Sequence, residues 1–513
     1  MAGGDAPGGS RRVHSRHEFR RREVEMSGTV TSADQVEATR SGGQATGAGP
    51  RWVVMPIILA AIFMVALDFF IVNVAIPSTQ RDLEASPAAI QFIIAGYWLS
   101  LATGLIIGGR IGDIYGRRRV FLIGLACFTA SSAACGLAPT ADFLVAARIA
   151  QGWSAALLMP QGLAILGVVY AGAARARAFT AYAVTLGLAS VCGQLIGGLL
   201  IAADIMNLSW RNCYLVNVPI GVVTFFLTLR FVPESRAGAS SKLDFIGTVL
   251  VAAGLVALVL PLVEGRERGW PLWTWLMLAA SVPVLAAFVR YQSMLLARSG
   301  GPLIDVRLFR ERAFSVGLIV TMLFNMLMGS FFLFLAIYLQ EGQGMTPLES
   351  GIIFTPIAAG YFLTSLYAEA VSRRIGRHVL TVGSAVMFIG LSITHLIVSG
   401  LGTGGRTSVL VPGFALAGAG MGLVLAPLTN TVLANLDPEY AGAASGVLAT
   451  SQQVGGAVGV AIVGVIFYNR LGGSSDPGGY PPAFLAGLVW LLGFTILIGM
   501  LVQFLPRHRP EVP

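Results

Sequence analysis

Over most of this chain the apolar residues neither alternate nor recur on one helical face; they run on without interruption. From residue 53 onward the sequence divides into fourteen such runs, near 53–77, 89–109, 119–138, 142–168, 178–203, 213–232, 245–263, 272–291, 313–339, 350–371, 379–398, 408–432, 445–468 and 484–505. Each is about as long as the 18 or more residues that a helix needs to cross a hydrocarbon core. Backbone amides find no water there, so runs of this kind must be helical. The predicted class is therefore all-α and integral to a membrane. Residues 1–50, rich in Gly, Ala, Ser and Arg, hold no apolar core. They read as a disordered cytoplasmic tail rather than a signal peptide or span, with Met26 an alternative start. Residues 507–513 read as a second tail.

Composition agrees with the pattern: 55% of the 513 residues are hydrophobic and 12% charged, with a mean hydropathy of +0.76. A soluble domain carries about twice that share of charge. The net charge of +9 does not point to nucleic acid, because the arginines sit beside the spans, where insertion bias and anionic lipid account for them. An even number of spans puts both termini on one side. With the N-terminus inside, the inner turns hold 17 Lys and Arg and the outer turns six. The positive-inside rule thus places both termini in the cytoplasm, across a plasma (inner) membrane. Cys127, Cys135, Cys192 and Cys213 lie in or beside apolar runs without ligand spacing and read as small packing residues. The histidines are scattered, and no metal site is predicted.

Two short basic turns look alike. Gly109-Arg-Ile-Gly-Asp113-Ile-Tyr-Gly116-Arg117-Arg118-Arg119 joins the second span to the third, and Glu369-Ala-Val-Ser-Arg-Arg-Ile-Gly-Arg377 joins the tenth to the eleventh. Two six-span bundles, 51–235 and 301–506, separated by two linker spans in 236–300, fit that spacing. Pseudo-repeats about a central path are a signature of secondary transporters.

The chemistry available is narrow. A nucleotide-cradling loop needs Gly-Lys-Ser/Thr, and the only lysine stands in Ser241-Lys242-Leu243, which excludes ATP hydrolysis by this chain. No nucleophile–base set or metal cluster indicates an enzyme. An ion gradient remains as energy source, with no cofactor, and a proton gradient needs a titratable group inside the bilayer. Asp68, near the middle of the first span, is such a group. A charge there costs roughly 2.5–3.5 kcal/mol on insertion scales, so it should face a partner or a cavity. Arg148, in the fourth span, lies at similar depth by helix rise.

Leu67-Asp68-Phe-Phe-Ile-Val-Asn73-Val-Ala-Ile-Pro77 resembles the first-span motif of the 14-span drug:proton antiporter branch of the major facilitator superfamily. Gly109–Arg119 resembles that superfamily's signature loop, with Ile114 where a basic residue is common. Arg148-Ile-Ala-Gln151-Gly152 resembles its fourth-span motif, and Trp210-Arg211-Asn-Cys-Tyr-Leu-Val-Asn217-Val-Pro219-Ile-Gly221 its sixth-span approach. The resemblance covers 52–505. It implies export of small lipophilic or drug-like molecules (antibiotic or multidrug efflux) by a monomer, with Asp68 and Arg148 in proton coupling. Gly109, Asp113, Gly116, Arg117 and Arg118 would form a gating loop. Asn73, Gln151 and Gln194 are candidates for the substrate cavity. In the fifth span Ala189-Ser-Val-Cys-Gly193-Gln194-Leu-Ile-Gly197-Gly198 resembles the antiporter motif, but its usual Gly-Pro is Gly-Gln. Gly193, Gly197 and Gly198 still permit close helix packing, whereas loss of the proline predicts loss of the kink. Import by the same fold, and a membrane sensor that moves nothing, remain as alternatives.

Overall fold

The computed structural model describes residues 1, 3–4, 51–236, 244–298, 304–403, 405–433, 441–473 and 476–505. Lys242 and, apart from residues 1 and 3–4, the two expected tails lie outside the described residues. Fourteen long helices follow in order: α1 (Arg51–Asp82), α2 (Pro87–Tyr115), α3 (Arg117–Gly136), α4 (Ala141–Val169), α5 (Gly172–Ala203), α6 (Asn217–Phe231), α7 (Phe245–Glu267), α8 (Leu272–Ala297), α9 (Arg312–Ile337), α10 (Pro347–Ile375), α11 (His378–Leu401), α12 (Val411–Leu433), α13 (Ala441–Leu471) and α14 (Tyr480–Val502). No strand occurs among the described residues. Thirteen spans are long and apolar enough to cross a bilayer as single helices, and α5, bent in the middle, supplies a fourteenth.

Local sequence starts these helices where the charged islands end. Ser86 accepts from the amide of Ala89 ahead of α2, and Pro87 stands at its first position. Thr140 caps α4. Thr346 and Glu349 form a reciprocal capping box on α10, again with proline next in line. These groups satisfy amides that otherwise have no intrahelical partner. The one-turn segment Asn212–Leu215 leads into α6. The turn Ser209–Arg211 just before it is pinned by Asp82 at the end of α1, which accepts from Trp210 Nε1 at 3.0 Å and from Arg211.

The expected straightening of α5 does not occur. The helix bends by 44° between Ser190 and Cys192 without a proline. Glycines flank the bend: Gly187 lies 3.3 Å, measured from an added Cβ, from the Phe362 ring, and at Gly193 and Gly197 an added Cβ would meet Phe70 Cβ at 2.6 Å and Ile71 Cγ1 at 2.9 Å. Helix α5 follows the surface of α1 because it lacks Cβ atoms on that side, so packing sets the bend that proline would otherwise impose.

Two seams join the earlier helices to the later ones: α5 packs on α10, and α2 on α13. Both close at the end of the bundle that holds the α1–α2 and α9–α10 turns. There the backbone of Pro347 comes within 2.7 Å of an added Cβ on Gly198, and the Gln194 carbonyl within 2.6 Å of one on Gly351. Trp98 presses closer still on Gly456, its ring 2.3 Å from an added Cβ. Gln340 donates to the Val74 carbonyl at 3.0 Å, and Arg81 pairs with Glu341 at 3.5 Å. Helix α7 spans the α2–α13 seam: Glu267 accepts from the Ala88 amide at 2.6 Å, and Arg266 donates to the Tyr468 carbonyl at 3.1 Å. Leu272, Trp275, Leu276 and Val282 on α8 are exposed, as lipid-facing residues are. Cys127, expected to be buried, is exposed on α3, while Cys135 and Cys213 are buried.

Candidate functional site

Asp68 and Arg148 meet. The fully buried Asp68 accepts from Arg148 Nη1 through Oδ2 at 2.7 Å. Its other oxygen accepts from Gln151 Nε2 at 2.9 Å and from Asn217 Nδ2 at 2.9 Å. Arg148 also donates to Gln151 Oε1 at 2.7 Å and through Nε to the Ile93 carbonyl at 3.1 Å. Its guanidinium lies 4.2 Å above the centroid of the Tyr97 ring. Four helices thus converge on one carboxylate: α1 carries it, α4 supplies the arginine and Gln151, α6 supplies Asn217, and α2 holds the arginine in place. A buried ion pair is tolerable only when each partner's remaining hydrogen-bonding capacity is met, and here most of it is.

The arrangement follows from local sequence. Arg148 and Gln151, three residues apart, share one helical face. Gly152, the next residue, lets α4 sit tightly on α2: a Cβ there would fall 2.1 Å from Ser100 Oγ and 2.5 Å from the Tyr97 carbonyl. Asn217 is oriented in turn by donating to Ser132 Oγ at 3.0 Å, and Ser132 donates to the Tyr214 carbonyl at 2.9 Å. Asn217, Ser132 and Tyr97 were not among the predicted site residues. Asn217 falls inside the Trp210–Gly221 motif, which was the available signal; nothing in the spacing marks the other two.

A cavity of about 610 Å³ adjoins this cluster, within the usual range for small-molecule sites. Phe69, Phe70, Asn73 and Trp98 line it from α1 and α2, with Phe324, Met328 and Phe332 from α9 and Tyr361 from α10. It runs on to Tyr182, Thr429, Asn430 and Glu369, toward the end of the bundle that carries the two basic turns. Phe70 and Phe332 meet edge to face across it, 6.0 Å between centroids, and Phe69 meets Trp98 at 4.4 Å. Among the three residues expected along the substrate path, Asn73 lines the cavity. Gln151 is turned away onto Asp68, and Gln194 sits in the α5–α10 seam with neither amide atom partnered among the described residues. The remaining α9 aromatics pack on neighbouring helices: Phe331 on Phe414, Phe334 on Phe467 and Tyr338 on Phe484.

The predicted gating loop is also well defined. Gly116 adopts φ 108°, a conformation that suits glycine, and a Cβ there would strike the Glu234 carboxylate at 2.8 Å. Glu234, just after α6, accepts from the amides of Arg118 at 3.0 Å and Arg119 at 3.2 Å, so it caps α3. Asp113 accepts from Arg117 at 2.9 Å, and Arg118 donates to the Leu229 carbonyl. At Gly109 an added Cβ would meet Pro160 at an ordinary van der Waals distance of 3.8 Å. The hydrogen bonds of Asp113, Gly116, Arg117 and Arg118 run to α2, α3, α6 and the segment just after α6. Replacing Glu234 with Ala is expected to lower stability by about 0.5–2 kcal/mol, the cost of a lost N-cap. Thermal unfolding of the purified protein checks this, with Glu234→Gln expected to recover part of the loss.

Residues 58–460 match a family model described as Major Facilitator Superfamily. The chain is 39% identical over 438 residues to the "Probable actinorhodin transporter" of Streptomyces coelicolor, covering 84% of this chain and 76% of that one. It is 33% identical to the "Tetracenomycin C resistance and export protein" of Streptomyces glaucescens, over 83% of this chain and 77% of the other. Among solved structures, a bacterial homolog of the human lysosomal transporter Spinster, in an inward-facing and unoccupied conformation, superposes with a TM-score of 0.65. It covers 91% of this chain and all of its own at 14% identity, a likeness of fold alone.

Proposed function

The chain belongs to the major facilitator superfamily, a family of multi-pass membrane transporters and not enzymes, and on that premise we propose that it exports small lipophilic or drug-like molecules in exchange for protons. The observation that carries this reading is the contact between a large aromatic cavity and one buried carboxylate–arginine pair. A relative named for transport of actinorhodin supports transport, and one named for resistance to and export of tetracenomycin C supports the direction.

In the proposed cycle two six-helix bundles, 51–235 and 301–506, rock about the cavity while the linker spans within 236–300 follow. The state described here is closed at the α1–α2 end, and its cavity extends toward the basic turns. With the basic turns in the cytoplasm and the transporter in the plasma (inner) membrane, that is the loading state. Substrate enters from the cytoplasm or inner leaflet. After the bundles reopen outward, a proton neutralises Asp68, frees Arg148 from its counter-charge and favours substrate release. Asp113, Arg117 and Arg118 then hold the cytoplasmic side shut. The cycle requires a proton gradient and no cofactor, and a monomer holds all its parts.

Accumulation of a lipophilic fluorescent dye in cells with and without the protein tests the direction. Lower retained dye in expressing cells, restored by an uncoupler, is the expected result. Higher dye in expressing cells would mean import, and equal dye would remove transport of that compound.

A further inference from the structure

Arg148 uses two of its three guanidinium nitrogens on the protein. Nε donates to Ile93, and Nη1 donates to Asp68 and Gln151. Nη2 has no hydrogen-bond partner among the described residues, yet it is not among the buried unpartnered atoms, and the Arg148 side chain lines the cavity. A side chain only 2% exposed therefore presents a charged donor to the cavity. An Nη2 group carries two N–H bonds in a fixed plane, so its orientation is set by the bonds on the other two nitrogens.

The surroundings restrict what this donor can meet. Phe69, Phe70, Trp98, Phe324 and Phe332 line the cavity, with Phe69 against Trp98 and Phe70 against Phe332, an aromatic lining that suits a flat ring system. Glu369 is the carboxylate among the cavity-lining residues. Its side chain is 64% exposed and pairs with Arg373, so water and that arginine screen it.

We propose that Arg148 Nη2 is the recognition point for an acceptor oxygen, carboxylate or phenolate, on a polycyclic aromatic substrate whose rings lie against the aromatic lining formed by Phe69, Trp98 and Phe332. This deepens the export reading and rests on it for the identity of the cavity. An anion at Nη2 and a carboxylate at Nη1 share one positive charge. Substrate and Asp68 then sense each other through a single residue, which is the reciprocal coupling an exchanger needs.

Binding to the purified full-length protein in nanodiscs tests the proposal, using anthracene-2-carboxylate, its carboxamide and 2-(aminomethyl)anthracene as probes. The carboxylate should bind at least about tenfold more tightly than the carboxamide, the factor that 1.4 kcal/mol represents, and the ammonium probe should bind most weakly. Phe332→Ala should weaken all three alike. Asp68→Asn combined with Arg148→Gln, which leaves no lone buried charge, should erase the ranking. Equal affinities, a leading ammonium probe, or no binding by any of them would overturn the proposal. Binding in nanodiscs needs no gradient or direction: dye export without the ranking sinks this inference alone, and the ranking without export sinks the export reading alone.

Discussion

Asp68→Asn is expected to reduce gradient-driven transport to the level of vesicles that lack the protein. In inside-out vesicles with an acidic interior, wild-type protein should concentrate a lipophilic dye in the lumen and the variant should not. The amide keeps the volume of the carboxylate and can still accept from Gln151 and Asn217, whose bonds to Asp68 Oδ1 are 2.9 Å each. It cannot take up and release a proton. It also leaves Arg148 buried without its counter-charge, and breaking a buried pair in this way costs about 3–5 kcal/mol. A thermal melt must therefore accompany the transport assay, with Asp68→Asn plus Arg148→Gln as the charge-balanced control. A folded double variant that still shows full gradient-driven uptake would remove Asp68 from the coupling path.

Gly351→Ala is expected to shift the resting conformation. The added Cβ would lie 2.6 Å from the Gln194 carbonyl and 3.3 Å from Leu195 Cα. Both are backbone, so α5 must move away from α10. Overpacking of this kind costs about 1–3 kcal/mol, and it acts only while the seam is closed. A penalty confined to one of two states becomes a population shift of about fivefold to 150-fold. Modification of a cysteine placed at the seam by an impermeant thiol reagent measures it. Faster labelling from the α1–α2 side is the expected outcome, and unchanged labelling would mean that α5 and α10 do not part there.

The parts of the molecule that the sequence reveals are those in which one residue is costly in its place. Asp68 and Arg148 stand out because a charge within an apolar run demands a partner, and the spans stand out because hydrocarbon permits no other backbone. Asn217 is different. Its bond to Asp68 joins residues 149 apart in sequence and depends on α6 lying beside α1, which hydropathy does not encode. The bend in α5 is hidden from the sequence for a related reason. Proline is one way to bend a helix, but close contact with α1 through Gly193 and Gly197 is another, and only the packing distinguishes them. Gln194 invited a reading as a substrate contact because it is polar and deep in a span; its place in a helix seam is a matter of rotation about α5.

The closed α5–α10 seam contains polar atoms that no protein group among the described residues answers. Both amide atoms of Gln194 and Ser350 Oγ are buried without partners among the described residues. Each such atom costs about 1–3 kcal/mol while it is kept dry, and water reaches it once the seam parts. Heat tolerance and turnover therefore pull in opposite directions at this seam. Selection for a longer-lived purified protein would drift toward apolar side chains there, and the molecules it favoured would rest longer in one half of their cycle.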